Sequence, residues 1–108
     1  MHLHHYTTAG NKDLILEFID RLPLEERAAG LMVLEKLQNN CNEALSVLST
    51  RHLRGKLWEI KFYKDNRIFY VIMNQDNIYL VHACKKQKGK AEKFELQKAI
   101  KKGEGVEL

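Results

Sequence analysis

The sequence has few of the residues that mark unusual classes of protein. Its 108 residues include one proline, six glycines and two cysteines, which argues against a disordered, fibrous or disulfide-stapled chain. No apolar run approaches the roughly 20 residues that span a bilayer, and no signal-peptide pattern opens the sequence. We therefore expect one globular domain over residues 1–108, cytoplasmic and without membrane contact, in which Cys41 and Cys84 are free, buried thiols.

Positive charge is concentrated in the second half of the chain. Residues 1–50 carry four Lys or Arg against seven Asp or Glu, whereas residues 51–108 carry fourteen against seven. One interpretation is that scattered lysines only keep the protein soluble. The other is a polyanionic partner, because a surface of one sign raises the local potential and the association rate.

The periodicity of the apolar residues predicts an α+β fold. A short strand is expected over residues 2–7, and two helices follow with apolar positions every three or four residues: Ile15, Phe18, Ile19 and Leu22 in the first, then Leu24, Ala28, Leu31, Leu34 and Cys41 in the second. Runs 57–63, 67–74 and 78–84 have the composition of an antiparallel meander, and a short helix covers residues 91–102. No structure is assigned to residues 43–55. The order β-α-α-β-β-β-α predicts helices on one face of a twisted sheet.

The uncovered face of this meander is a candidate site. If Tyr63 lies opposite Arg67 across the hairpin, the face combines one carboxylate, two cations and aromatic rings: Glu59, Lys61, Tyr63, Arg67, Phe69 and Val71. Because cations neutralise phosphates and aromatic rings stack on bases, such a surface suits a single-stranded nucleic acid. A solvated face with cross-strand ion pairs is the alternative, and the residues alone do not separate the two.

Further basic residues follow the last meander strand. The segment Lys85-Lys86-Gln87-Lys88-Gly89-Lys90 has four lysines in six residues, which indicates either an anionic partner or a plain basic loop. His82 is either a proton-transfer group or a structural histidine. His2, His4 and His5 lack partners at metal-ligand spacing, and the sequence has no phosphate-binding glycine loop, so we expect no metal and no cofactor.

Three segments carry a family resemblance. In order and spacing they are similar to the RelE/HigB-type toxins of bacterial type II toxin–antitoxin pairs, in particular to the phage-derived Gp49-like branch: Leu57-Trp58-Glu59-Ile60-Lys61, Arg67-Ile68-Phe69-Tyr70-Val71 and Leu80-Val81-His82-Ala83-Cys84-Lys85-Lys86. The helical segment that ends at Pro23 and the segment Leu53-Arg54-Gly55-Lys56 extend the likeness over most of the chain.

The resemblance implies a metal-independent mRNA endoribonuclease that acts at the ribosome, inhibits translation and is silenced by a cognate antitoxin, here expected to be a helix-turn-helix protein. In this reaction the RNA 2′-hydroxyl attacks the adjacent phosphate, which requires a base, cations around the phosphate and an acid for the 5′-oxygen. The implied catalytic residues are Arg67 as stabiliser of transition-state charge, Lys61 as phosphate clamp or proton carrier, Lys85 and Lys86 on the leaving side, and Glu59 as general base. RNA-binding roles are expected for Arg54, Lys56, Tyr63, Phe69, Lys88 and Lys90.

The sequence departs from the family pattern near its end. Cys84 replaces the usual aromatic residue before the lysine pair, Gly89-Lys90-Ala91 stands where relatives often have Lys-Thr-Pro, and the C-terminal His or Tyr of several active members is absent. His82 and Tyr63 are then candidates for the missing acid or base. Two other functions stay open: a non-nuclease member of the superfamily that acts by protein contact, as gyrase-poisoning members do, and a non-toxic prophage protein that binds RNA.

Overall fold

A computed structural model describes residues 2–74 and 77–105, which form five strands and four helices. In chain order they are β1 (His2–His5), α1 (Leu14–Asp20), α2 (Leu24–Asn39), α3 (Cys41–Val47), β2 (Ser49–Arg54), β3 (Leu57–Phe62), β4 (Asn66–Asn74), β5 (Asn77–Lys85) and α4 (Gly89–Glu104). The α+β class, the first strand, the helical hairpin, the meander and the final helix are confirmed. None of these helices is both long and apolar enough to cross a membrane.

The five strands form one sheet in the order β1-β5-β4-β3-β2. β1 runs parallel to β5, and the other neighbouring strands are antiparallel. The sheet is thus wider than the predicted meander, because β2 arises from the segment left without a prediction. β2 is an edge strand whose side chains are exposed or only half-buried, so it lacks the apolar alternation that identifies a strand in sequence.

The register of the β3–β4 hairpin differs by two residues from the predicted one. Lys61, not Tyr63, lies opposite Arg67, and Phe62 lies opposite Asn66. Tyr63 is in the turn with a φ of 42° and Lys64 follows with 67°, so two consecutive left-handed residues reverse the chain. Because the error is two residues, the side chains of the two strands keep their predicted faces. Tyr63 does not, since it lies in the turn and its hydroxyl bonds to Glu25 on α2.

The first three helices pack on the face that carries Ile60, Ile68 and Tyr70. α2 approaches this layer closely at Gly30, where a Cβ would lie 3.0 Å from side-chain atoms of Ile19 and Phe62. The face of α2 that contains Gly30 therefore packs against the sheet, and the buried residues of the helix are Gly30, Val33 and Leu37.

The predicted apolar stripe of α2 is therefore wrong in phase. Leu24 and Leu31 are 71% and 43% exposed, and Ala28 is exposed as well. Cys41 lies outside α2, because Asn40 adopts an extended conformation and starts α3, where its side chain accepts a hydrogen bond from the backbone N–H of Glu43. α2 is consequently apolar on two sides, and only one of them packs against the sheet.

α4 packs on the opposite face of the sheet, which contradicts the prediction of helices on one face. Its Leu96, Ala99 and Ile100 pack with Phe69 and Val71. The physical reason is visible in β4, whose run of apolar residues is buried on both faces. A strand that is covered on one side only would alternate apolar and polar residues.

Candidate functional site

Arg67 lies beneath α4 rather than on an open face. The side chain is 2% exposed and is enclosed by Glu59 on β3 and Glu92 on α4. Its Nη1 donates to Glu59 Oε2 at 3.1 Å and to Glu92 Oε2 at 2.9 Å, and its Nη2 donates to Glu92 Oε1 at 2.6 Å. The prediction that this arginine belongs to an uncovered face is wrong, because the first turns of α4 cover it.

The carboxylates around Arg67 keep it charged. Burial disfavours the charge, but the hydrogen bonds to Glu92 and Glu59 outweigh burial and raise the pKa of Arg67. The hydrogen bond from Arg67 in turn lowers the pKa of Glu92. Glu59 is fully buried and also lies 3.3 Å from Arg51 on β2. In this arrangement Glu59 holds two arginines in place and has no access to a substrate proton.

Lys61 and the lysine-rich loop lie next to Arg67. Lys61 is its direct cross-strand partner on the same face and is only half-buried. The backbone N–H of Lys86 donates to the carbonyl oxygen of Asp65 at 2.6 Å, which holds the loop beside the β3–β4 turn. Lys86 is exposed, and its charge contributes to the lowered pKa of Glu92. Three of the predicted catalytic cations therefore gather at one end of the sheet.

Lys85 and Tyr63 are engaged with α2 instead. The Lys85 ammonium donates to Glu26 Oε1 at 2.8 Å, and this hydrogen bond lowers the pKa of Glu26. The Tyr63 hydroxyl donates to Glu25 Oε2 at 2.6 Å, which raises the pKa of Tyr63. Because successive side chains of a strand point to opposite faces, Lys85 is directed away from the face that carries Lys61.

The remaining predicted RNA-binding residues do not form one surface. Phe69 is fully buried below α4, with the guanidinium carbon of Arg67 5.0 Å from its ring centre, so in this arrangement it cannot stack on a base. Lys88 and Lys90 are exposed where α4 begins. Arg54 and Lys56 lie at the other end of α4, where they line a cleft of about 270 Å³ whose apolar lining is Leu57, Val71 and Ile100.

His82 belongs to a second buried polar group. Its Nε2 lies 2.5 Å from Glu95 Oε2, and Lys102 Nζ lies 3.1 Å from its Nδ1. Burial lowers the pKa of His82 in spite of the Glu95 carboxylate, so the neutral imidazole dominates near pH 7. With Nδ1 accepting from the ammonium, Nε2 carries the proton that it donates to Glu95. The histidine thus has a partner at each ring nitrogen and lies under α4, 8% exposed.

One group of potential metal ligands occurs among residues 2–74 and 77–105. His82, Cys84 and Glu95 have ligand atoms within 4.8 Å of one another. However, Arg67 Nη2 lies 3.7 Å from Cys84 Sγ, and burial raises the pKa of Cys84 to about 12. A protonated thiol beside the Arg67 guanidinium is a poor ligand for a further cation.

Glu92 and Glu95 are not among the residues predicted from sequence. They are the only acidic residues between Lys85 and Lys102, and their spacing of three places them on the same helical face as the apolar Leu96 and Ala99. Carboxylates on the apolar face of a lysine-rich helix indicate buried cationic partners. That signal was available in the sequence.

The chain matches a known protein family over most of its length. The family described as phage-derived protein Gp49-like matches residues 17–103. The matched segment runs from α1 to the last turn of α4 and includes Arg67, Glu59 and Glu92. No curated protein matches the chain.

Proposed function

Starting from the fact that the chain belongs to the family of phage-derived Gp49-like proteins, we propose that it is the toxin of a type II toxin–antitoxin pair and acts as a metal-independent mRNA endoribonuclease of RelE/HigB type. One observation carries the proposal. Lys61 and Arg67 are direct cross-strand partners on one face, and the backbone of Lys86 is hydrogen-bonded to the adjoining turn. Cations in this arrangement suit a phosphodiester that gains negative charge during cleavage.

The mechanism places RNA at the end of the sheet near the first turn of α4. Lys61 and Lys86 contact the scissile phosphate, since neither is fully buried. Arg67 joins them when the phosphate replaces the carboxylate of Glu92, because both anions accept two parallel hydrogen bonds from a guanidinium. Glu92 is about one-third exposed and lies in the first turn of α4. Glu59 keeps Arg67 in position, and the proposal assigns it no proton transfer.

Induction in growing cells tests the nuclease activity. We expect the parent protein to arrest growth and to produce new 5′ ends in a reporter transcript, mapped by primer extension. Lys61→Ala and Lys86→Ala should each reduce cleavage about 10²- to 10³-fold if the lost cation stabilises the transition state. Lys36→Ala is the matched control, because Lys36 is an exposed lysine on α2, across the sheet from α4. Normal cleavage by both site variants would contradict the proposal.

A protein antitoxin is part of the proposal, and the outer face of α2 supports it. Leu24, Leu31 and Met32 are 71%, 43% and 56% exposed and lie on one side of the helix. Exposed apolar residues at this spacing are typical of a surface that receives another helix or a groove. Co-expression with a helix-turn-helix protein from the neighbouring reading frame should yield a complex, and Met32→Glu should weaken it without changing RNA cleavage.

The burial of Arg67 favours a second candidate, a toxin that acts by protein contact. An arginine whose terminal nitrogens are both bonded to carboxylates has no need of a substrate phosphate. This candidate predicts arrest of growth with intact mRNA and with inhibition of DNA supercoiling by purified gyrase. Transcripts cut in the primer-extension assay would exclude it.

A further inference from the structure

α4 separates its charges between two faces. Its two glutamates in the first half turn inward, Glu92 to Arg67 and Glu95 to His82. The opposite face is a helical stripe of exposed residues: Lys90, Lys93, Phe94, Gln97 and Lys101. Within the part of the chain that the structure describes, no carboxylate lies within ion-pair distance of the three lysines of this stripe. The outer face is therefore cationic in spite of the acidic residues in the helix.

The surrounding sequence strengthens this charge. Residues 85–102 contain eight lysines and two glutamates. The lysines at positions 86 and 88 are also exposed and lead directly into the helix. Lys85 and Lys98 are paired with Glu26 and Glu95. The lysines of the stripe have no such counter-charge among the described residues and repel one another, so a polyanion that neutralises them is bound favourably.

Phe94 distinguishes this face from a merely basic surface. The ring is 62% exposed in the middle of the lysine stripe, and Lys90, Lys93 and Gln97 line a shallow groove around it. Proteins bind single-stranded nucleic acid with aromatic rings that are flanked by cations. A base stacks on the ring, and the adjacent phosphates contact the positive charges. A membrane would require a broader apolar face than one phenylalanine provides.

We propose that the outer face of α4 binds single-stranded RNA, with Phe94 as the stacking platform and Lys90, Lys93 and Lys101 on the phosphates. The stripe extends over twelve residues, from Lys90 to Lys101. Its ends are about 16 Å apart at the helical rise, which matches about five stacked nucleotides. The inference rests on the proposed function only in taking RNA as the substrate class. It adds a docking surface outside the cleavage site and names residues that the site does not use.

Binding is measured with a fluorescent 2′-O-methyl oligonucleotide of twelve residues, which has no free 2′-hydroxyl and cannot be cleaved. Fluorescence anisotropy gives the dissociation constant of the full-length protein. Phe94→Ala should weaken binding about 5- to 150-fold, the effect of one lost base stack. Val47→Ala is the matched control, because Val47 is 67% exposed on α3, which packs on the face of the sheet opposite α4.

The salt dependence tests the lysines. Replacing Lys90, Lys93 and Lys101 together by Gln should reduce the slope of log affinity against log salt by about 2, at about 0.7 for each lost phosphate contact. Replacement of Lys36 by Gln should leave the slope unchanged. These exposed substitutions leave the buried contacts of α4 intact, and a circular dichroism melt verifies that the variants are folded.

Three results overturn the inference: equal affinity of parent and Phe94→Ala, an unchanged salt slope in the triple variant, or capture by acidic lipid vesicles in place of the oligonucleotide. The proposed function fails separately. Oligonucleotide binding that depends on Phe94, without any cut in the primer-extension assay, supports the docking surface and contradicts the nuclease. Cleavage of transcripts together with oligonucleotide binding that does not depend on Phe94 supports the nuclease and contradicts the docking surface.

Discussion

Replacing Arg67 by Ala is expected to destabilise the fold, so that a loss of activity in this variant does not by itself identify a catalytic role. The guanidinium lies between Glu59 and Glu92. Its removal leaves the fully buried Glu59 with Arg51 as its one ion-pair partner among the described residues. Arg51 is more than half exposed, so water screens its charge and it does not replace the lost guanidinium.

The magnitude follows from this burial. Removing one member of a buried ion pair typically costs about 3–5 kcal/mol, because an uncompensated charge remains in the interior. For a domain of roughly 100 residues each kcal/mol shifts the melting temperature by about 4 °C or more. We therefore expect Arg67→Ala to melt about 12–20 °C below the parent, which is a large share of a typical total stability of about 5–15 kcal/mol.

Thermal and urea unfolding measure this effect, and a double-mutant cycle assigns it to the ion pair. Combining Arg67→Met with Glu59→Gln removes both buried charges, so the double variant should be more stable than Arg67→Met alone. Arg51→Ala is the matched control, since this arginine contacts the same carboxylate from an exposed position and should cost no more than about 1 kcal/mol.

Two outcomes would refute the reasoning. One is an Arg67→Ala variant that melts within about 3 °C of the parent, since a buried, carboxylate-bonded guanidinium cannot be removed at that cost. The other is a double variant no more stable than the single one. If the prediction holds, loss of toxicity in Arg67→Ala reports unfolding as much as chemistry, which is why the half-buried Lys61 is the better test of cleavage.

Three further predictions concern stability and thiol chemistry. The pKa of Glu92 is lowered by its hydrogen bond from Arg67, so its stabilising contribution is complete above its ordinary value of 4.5 and is lost as the pH falls through the folded value. Glu92→Gln should flatten this part of a urea-stability profile measured from pH 3 to 6. Gly30→Ala should cost about 1–3 kcal/mol in a thermal melt through overpacking, since its Cβ would meet side-chain atoms at 3.0 Å; a stabilised variant would mean that α2 approaches less closely. Cys41 and Cys84 are buried thiols with raised pKa values, so a thiol reagent at pH 8 should label both only after unfolding, and rapid labelling of the native protein would contradict their burial.

The fold was predictable wherever periodicity and burial agree. The meander strands and the hairpin faces follow from their β-branched and aromatic composition, and the two-residue error in register changed the face of no strand residue, although it moved Tyr63 into the turn. β2 escaped prediction because an edge strand does not need an apolar pattern. The phase of α2 was wrong because the helix has apolar residues on both sides, and the close contact at Gly30 decides which side is buried. A glycine in mid-helix carries no hydrophobic signal.

The site was predictable only in part. Strand geometry predicts that Lys61 and Arg67 lie on the same face of the sheet. Whether solvent reaches them depends on α4, a helix that is distant in sequence from β3. The continuous apolar run from Ile68 to Ile72 indicated that both faces of β4 are covered. Glu92 and Glu95 are spaced to share the apolar face of α4. This spacing and the apolar run of β4 together would have predicted that Arg67 is covered by that helix.

The enclosure of Arg67 sets a condition on the nuclease: the guanidinium must leave Glu92 before it can bind a phosphate. Freeing the guanidinium without a substitute breaks charge-assisted hydrogen bonds of about 1.5–3 kcal/mol each. Exchange is less costly, because a phosphate accepts the same pair of bonds that the Glu92 carboxylate accepts. Glu92 also lies in the first turn of α4, where free backbone N–H groups favour an anion of either kind. An Arg67 that binds Glu92 in the free protein and exchanges it for the substrate phosphate agrees with both the burial and the proposed chemistry. In a contact toxin, by contrast, the arginine would only hold the sheet and α4 together.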